Sequence, residues 1–262
     1  MTLFTEKRAG LLLIAGMFLL SGCFNTRPVK YFADIQETTV PSDANPDYLL
    51  QPNDIVSIFV SSLDAKSTEV FNIPNTFTIS SATTTGVNTN INGYLINSEG
   101  NIQMPLIGTI KAAGITKKEL KESITKIIND KKLLVEPIVH IRHLNYEVTV
   151  LGEVGKPTVI SVPNERITML KALGMAGDVT IYGNKESVLL IRERDGKKQV
   201  TRVNLNAGNF IQSPYYYLQP NDVVYVEPNP NKLASTSRGA ILLPVILSTF
   251  SFVVVVVAQF IR

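Results

Sequence analysis

A phrase that occurs twice in the chain, at residues 48–56 and 217–224, constrains the fold most. Both copies contain Gln-Pro-Asn-Asp followed by an apolar run, and the second copy has one leucine fewer. Because proline fixes φ for a turn and the Asn and Asp side chains bond to nearby backbone groups, each copy predicts a turn that leads into a strand. A catalytic role is the alternative for the paired Asp54 and Asp222, but turn capping is the favoured interpretation.

Residues 48–145 combine strand and helix patterns and predict a first α+β domain. A capping box of Thr116 and Glu119 opens a helix whose apolar residues recur at helical spacing. These apolar residues are Leu120, Ile124, Ile127 and Ile128. Alternation at 137–142 predicts a strand after the helix. Residues 61–93 are rich in Ser, Thr and Asn, and we interpret them as an inserted loop.

Residues 146–230 predict a second, smaller domain. A short helix is expected from Thr168 to Ala176, with Gly177 as its C-terminal cap. The dipeptide Asp-Gly at 195–196 lies between two alternating runs, which is a strong hairpin signal. Strands, one short helix and a hairpin within this segment indicate a small β-grasp-like fold. We therefore expect the chain as a whole to have the fold class α+β.

The residues needed for most enzyme and metal chemistry are scarce. The chain of 262 residues has one cysteine and two histidines, which leaves little for a zinc site or a Ser-His-Asp triad. A net charge of +3 without a basic stripe does not indicate nucleic-acid binding. Alternation places His140 and His143 on opposite faces of a strand, and we interpret both as surface residues that share no metal. We therefore expect no catalytic residue, metal or cofactor.

The densest aromatic cluster consists of Tyr215, Tyr216 and Tyr217. Tyrosine has a large apolar ring and a polar hydroxyl, so these side chains could stack on sugar rings. The alternative is an amphipathic role at the edge of the core, which is the favoured interpretation.

The N-terminus has the layout of a secretory signal peptide. Two basic residues precede an apolar stretch at 9–20, which is too short to cross a membrane. A Leu-Ser-Gly-Cys sequence then ends at Cys23 and resembles the bacterial lipobox, in which the cysteine becomes the lipid-modified first residue of the mature protein. We expect a signal peptide over 1–22, a lipid anchor at Cys23 and a proline-containing tether over 23–47. An ordinary buried thiol is the alternative for Cys23.

The C-terminus contains a second apolar run, residues 241–258, without a charge. At about 1.5 Å per residue, a helix of this length reaches about 27 Å, close to the hydrocarbon thickness of a bilayer. We expect a transmembrane helix within 231–262, with a buried strand or helix of the core as the alternative. On such a helix Ser248, Ser251 and Gln259 lie near one another, where they could face a water-filled lumen, contact a neighbouring helix or have no role.

Several phrases together resemble the polysaccharide export outer-membrane lipoproteins, the Wza-type family. An export domain over 48–145 is recognisable in two segments, and a β-grasp domain of the SLBB type over 146–230 in two more. These segments are Ser98–Ile102, Pro105–Gly108, Gly152–Val154 and Ala172–Gly177. Longer members of the family have two β-grasp repeats, whereas this chain has one.

The resemblance implies a homo-oligomeric ring, typically an octamer, whose C-terminal helices form a barrel through the outer membrane. Capsular polysaccharide or exopolysaccharide would pass through it without catalysis. An inner-membrane polysaccharide co-polymerase, often a tyrosine autokinase, would be the partner that supplies force and gating. The protein would be lipid-anchored in the outer membrane, with its bulk in the periplasm. The alternatives are a monomeric glycan-binding periplasmic lipoprotein and a ring adaptor of another secretion system.

Overall fold

The computed structural model describes residues 31–32, 39, 47–73, 76–80, 88–194, 196–230, 232 and 238–260. Three predictions from the N-terminus, namely the signal peptide over 1–22, the anchor Cys23 and most of the tether over 23–47, lie outside the described residues.

The N-terminal domain is built on an antiparallel sheet with the strand order β4-β1-β7, and the main helix α2 packs against β7. A separate antiparallel pair, β5 and β6, adds to the same hydrophobic core. The elements are β1 (Ile55–Ser61), α1 (Ala65–Thr68), a 3₁₀ turn (Glu69–Asn72), β2 (Thr76–Ser80), β3 (Asn88–Asn92), β4 (Tyr94–Leu95), β5 (Asn101–Met104), β6 (Gly108–Lys111), α2 (Lys117–Asp130) and β7 (Ile138–His143).

Helix α2 begins where the capping box predicts. The Thr116 side chain accepts from the Glu119 backbone N–H, and the Glu119 carboxylate accepts from the Thr116 N–H at 2.7 Å. The reciprocal bonds satisfy two backbone donors that have no partner within the helix, and they are worth about 1 kcal/mol. Three residues of the predicted apolar stripe are fully buried, namely Leu120, Ile124 and Ile128, so this prediction is confirmed.

The Ser-, Thr- and Asn-rich segment 61–93 is more ordered than an inserted loop. It contains α1, the 3₁₀ turn and an antiparallel hairpin in which β2 pairs with β3, from Thr76↔Asn92 to Ser80↔Asn88. Threonine and isoleucine are good strand formers even where charges and a long apolar run are missing. The low hydrophobicity of the segment therefore concealed its strands.

The C-terminal domain is one mixed sheet with the order β11-β10-β12-β8-β9, and helix α3 packs against β8. Only the central pair β12 and β8 is parallel, with Val224 opposite Val150 at 0% exposure each. A parallel central pair with a helix between its strands in the sequence is the β-grasp arrangement that the sequence predicts. The elements are β8 (Glu147–Gly152), β9 (Thr158–Ser161), α3 (Met169–Met175), β10 (Gly183–Arg194), β11 (Lys197–Val203), a 3₁₀ turn (Gly208–Gln212) and β12 (Val223–Pro228).

Local turn chemistry agrees with the predictions in this domain. Helix α3 is capped by the Thr168 side chain, and Gly177 follows its end with φ +80°. The hairpin between β10 and β11 closes with Arg194 opposite Lys197, and Gly196 has φ +68°. Left-handed φ values favour glycine because it has no Cβ.

The expected transmembrane helix at the C-terminus is wrong. The segment does form a helix, α4 (Arg238–Phe260), but no helix in the described part of the chain is both long and apolar enough to cross a membrane. A spanning helix needs about twenty predominantly apolar residues. Within α4 the hydroxyls of Ser248 and Thr249 donate to the Val245 carbonyl.

Two residues of the predicted tether over 23–47 have defined contacts with the rest of the chain. The Tyr31 hydroxyl donates to the Asp178 carboxylate, and the Lys185 ammonium lies 3.8 Å from the centre of the Tyr31 ring. The Phe32 N–H donates to the Leu205 carbonyl at 3.4 Å. This part of the predicted tether therefore packs on the C-terminal domain.

Candidate functional site

The two copies of the repeated phrase form the same turn. Asp54 and Asp222 are 2% and 0% exposed, and each accepts from the backbone N–H three residues earlier. Gln51 N donates to Asp54 Oδ2 at 2.9 Å, and Gln219 N donates to Asp222 Oδ2 at 2.7 Å. The predicted turn capping by both carboxylates is therefore confirmed.

The second aspartate has a cationic partner. Arg192 of β10 donates from Nε to Asp222 Oδ1 at 2.9 Å and from Nη2 to Oδ2 at 2.7 Å. Burial raises the pKa of Asp222 above its usual value, and the bonds from Arg192 act in the opposite direction. This partner was not predictable from local patterns, because Arg192 lies 30 residues away on another strand.

The first aspartate faces a histidine. His143 is 3% exposed, and its Nε2 lies 3.5 Å from Asp54 Oδ1. The prediction that His140 and His143 lie on opposite faces of a strand is confirmed, since His140 is exposed. The prediction that His143 is a surface residue is wrong, because Tyr48 and Tyr146 cover its face of β7 with rings centred within 6 Å.

Hydrogen bonds fix the tautomer of His143. Its Nε2 lies 2.9 Å from Asn145 Oδ1, an amide oxygen that also accepts from Ile55 N. Because that oxygen only accepts, Nε2 donates, and in the neutral form of the ring Nδ1 accepts from the Tyr48 hydroxyl at 3.1 Å. Burial raises the pKa of Tyr48, so its hydroxyl keeps the proton that it donates. His143 is thus a satisfied structural residue at the junction of the domains.

Glu165 of the C-terminal domain joins the two domains at the same junction. Its carboxylate accepts from the Lys117 ammonium at the start of α2 and from the His143 backbone N–H. Within the C-terminal domain, the Tyr146 hydroxyl donates to the Leu218 carbonyl of the second phrase at 2.5 Å.

The three tyrosines of the predicted cluster have different main contacts, and the rings of Tyr216 and Tyr217 also pack edge-to-face on each other with centres 5.1 Å apart. Tyr215 lines a surface groove, whereas Tyr216 packs edge-to-face on Phe210 with ring centres 5.6 Å apart. Tyr217 lies under the Arg166 guanidinium, 4.5 Å from the ring centre, and accepts a hydrogen bond from it. The three rings therefore do not form one platform.

The groove beside Tyr215, which we call the Tyr215 groove, has a volume of about 470 Å³. Its walls combine two aromatic rings with amide, hydroxyl and guanidinium groups. They are formed by Arg202, Val203, Asn204, Ala207, Asn209, Phe210, Gln212, Ser213, Pro214 and Tyr215. Aromatic faces next to amide donors and acceptors suit a sugar ring, which has apolar faces and a polar rim. Sequence reasoning missed all of these residues but Tyr215, although the amide-rich loop 204–213 before the second phrase was a usable signal.

The residues predicted to face a lumen lie on α4, and none of them lines this groove. Ser248, Ser251 and Gln259 are exposed on the helix, and the Ser248 hydroxyl donates to the Val245 carbonyl at 2.8 Å. The structure does not bring them together with the tyrosines, and their lumen-facing role stays a prediction.

Comparison with known proteins assigns both domains to one class. A family model described as polysaccharide biosynthesis/export protein matches residues 42–144, and an SLBB domain model matches residues 146–226. The chain belongs to the Wza-type family of polysaccharide export proteins, as the sequence resemblance predicts.

Two curated relatives are both described as "EPS I polysaccharide export outer membrane protein EpsA". The protein of Ralstonia solanacearum is 32% identical over 142 residues, which make up 53% of this chain and 37% of that protein. The protein of Ralstonia nicotianae is 28% identical over 207 residues, which make up 74% of this chain and 52% of that protein. The chain therefore spans between 37% and 52% of the length of these relatives.

Proposed function

We propose that this protein exports polysaccharide across the outer membrane as a subunit of an oligomeric pore. The observation that supports this most is the occurrence of both family domains in one chain, at 42–144 and 146–226. Two relatives described as polysaccharide export outer membrane proteins support the same activity and location. The chain acts as a conduit, so no bond of the polysaccharide is broken.

The proposed assembly is a homo-oligomeric ring, with eight copies as the expectation, that is held at the outer membrane by a lipid on Cys23. The driving force comes from an inner-membrane polysaccharide co-polymerase, with or without a tyrosine kinase activity. The domain boundaries that we use are 48–145 for the export domain and 146–230 for the SLBB domain.

The Tyr215 groove is the proposed site of sugar contact. Tyr215 lines the groove, as do the amide-bearing residues Asn209 and Gln212. Tyr216 and Tyr217 have structural contacts with Phe210 and Arg166, so Tyr215 is the member of the cluster that we assign to the glycan.

The oligomer and its anchor can be tested in one preparation. Outer-membrane fractions are extracted in mild detergent, and the mass of the particle that contains this protein is measured. We expect a ring of many copies for the native chain and loss from the membrane fraction for Cys23→Ser. A monomer that binds glycan would instead favour the monomeric lipoprotein.

Sugar contact is tested separately by binding of oligosaccharides from the host strain to the purified full chain. Tyr215→Ala is expected to weaken binding about tenfold, since stacking of a ring on an aromatic face contributes of the order of 1 kcal/mol or more. Tyr182→Ala is the matched control, because Tyr182 is also a partly exposed tyrosine but lies outside the groove. Equal effects of the two substitutions would rule out the assignment of the groove.

A further inference from the structure

A second cavity lies at the junction of the two domains, where the turns of both phrases meet the tip of the β10–β11 hairpin. We call it the junction cavity, and its volume is about 340 Å³. Its walls come from the first phrase, the loop before α2, the hairpin and one residue of the second phrase. The wall residues with polar groups that matter here are Gln51, Glu193, Arg194 and Gln219. Its volume is in the lower part of the range for small-ligand pockets, which suits a single sugar ring.

The polar groups of this cavity are held on rigid turns. Buried Asp54 and Asp222 accept from the backbone N–H groups of Gln51 and Gln219, so the backbone from which each glutamine side chain extends is fixed. Gln51 Nε2 donates to the Glu193 carbonyl at 3.0 Å, which orients the amide and leaves its oxygen available. The Gln219 side chain has no hydrogen-bond partner among the described residues. One oriented amide and a second amide on a fixed backbone thus border one space, so binding there requires ordering of the Gln219 side chain alone among these two groups.

The Arg194 guanidinium forms the positively charged part of the junction cavity's wall. Successive side chains alternate along β10, so Arg194 follows Arg192 on the same face, and Glu193 projects to the other. Arg192 is neutralised by Asp222, whereas Arg194 has no ion-pair or hydrogen-bond partner within the described residues. Arg194 is also directly opposite Lys197 in the hairpin, a like-charge pair that opposes strand pairing. The positive charge here serves no contact within the described chain.

We propose that the junction cavity binds an acidic sugar residue of the exported polysaccharide. The Arg194 guanidinium pairs with the anionic group, for which its planar fork is suited, and the amides of Gln51 and Gln219 bond to ring hydroxyls. The anionic group is a carboxylate of a hexuronic acid or a phosphate on the sugar, since both present the same paired oxygens. This inference rests on the proposed function, because the ligand is the exported chain, but it concerns a site separate from the Tyr215 groove.

The test is binding to the purified full chain in detergent, measured by calorimetry or by ligand-observed NMR. The probes are an oligosaccharide of hexuronic acid, a hexose phosphate and a neutral oligosaccharide of matched length. For Arg194→Gln we expect binding of at least one acidic probe to fall about tenfold, with binding of the neutral probe unchanged. The acidic probe that binds more tightly to the native chain identifies the anionic group.

Lys198→Gln is the matched control, because it removes one positive charge from the same hairpin at an exposed residue outside the cavity wall. It should change acidic binding less than twofold. Equal losses for Arg194→Gln and Lys198→Gln, or no loss for either, would overturn the proposal. If binding depends on Tyr215 and not on Arg194, the junction site fails while the proposed function stands. Unchanged melting temperatures of both variants exclude misfolding as the cause.

Discussion

The ion pair between Arg192 and Asp222 should be the most sensitive point of the C-terminal domain. Arg192→Met keeps most of the volume of the side chain but removes both donors to a carboxylate that is fully buried. When one partner of a buried ion pair is removed, the other charge stays buried and unpaired, which lowers the free energy of unfolding by about 3–5 kcal/mol. We therefore expect the free energy of unfolding to fall by about 4 kcal/mol at pH 7, where the Asp222 carboxyl of the unfolded chain is ionised.

The effect should depend on pH in a defined direction. Burial already raises the pKa of Asp222 in the folded protein, and removal of Arg192 raises it further. A carboxyl whose folded pKa lies above its unfolded pKa favours folding when it is protonated, and this contribution is lost as the pH rises. The deficit of Arg192→Met should therefore shrink as the pH falls from 7 towards 4.

The assay is urea unfolding of the full chain, followed by circular dichroism at pH 7 and at pH 4.5. With a dependence of about 2 kcal/mol per molar urea, a loss of 4 kcal/mol shifts the midpoint by about 2 M. Arg202→Met is the control, because the Arg202 side chain, which pairs with Glu227, is 67% exposed. Ion pairs at the surface contribute about 1 kcal/mol or less to stability. Our reasoning is refuted if the two variants lose equal stability, or if the deficit of Arg192→Met is the same at both pH values.

Five further substitutions test local features of the fold by the same unfolding assay. Thr116→Ala removes half of the capping box and should cost about 1 kcal/mol; a loss below 0.3 kcal/mol would contradict the role of the box. Tyr48→Phe leaves the acceptor of a buried imidazole unsatisfied and should cost about 1–3 kcal/mol, whereas His140→Asn on the exposed face should cost less than about 0.5 kcal/mol. Gly152→Ala should prevent the C-terminal domain from folding, since a Cβ there would lie 2.1 Å from the Val226 carbonyl oxygen. Gly174 lies inside α3 with open space around it, so Gly174→Ala should raise the free energy of unfolding by up to about 1 kcal/mol.

Features that depend on neighbouring residues were predictable from the sequence. Both Gln-Pro-Asn-Asp turns fold as their chemistry dictates, since the aspartate and the backbone N–H that it binds are three residues apart. The capping box of Thr116 and Glu119 has the same spacing. The β-grasp arrangement followed from the order of strands, helix and hairpin.

Features that depend on distant segments were not predictable in this way. Alternation showed which residues of β7 share a face, but His143 is buried only because Tyr48, 95 residues earlier, packs over it. The hydrogen bond from Tyr31 to Asp178 joins residues that are 147 positions apart in the sequence, and no periodicity near Tyr31 predicts it. The missed walls of the Tyr215 groove come from β11 and from a loop without apolar periodicity.

The most direct test of the account is the amount of polysaccharide at the cell surface after deletion of this protein. We predict that the deletion strain loses its surface polysaccharide, that a plasmid encoding the native chain restores it, and that undelivered polymer accumulates inside the cell envelope. Normal surface polysaccharide in the deletion strain would contradict the central claim.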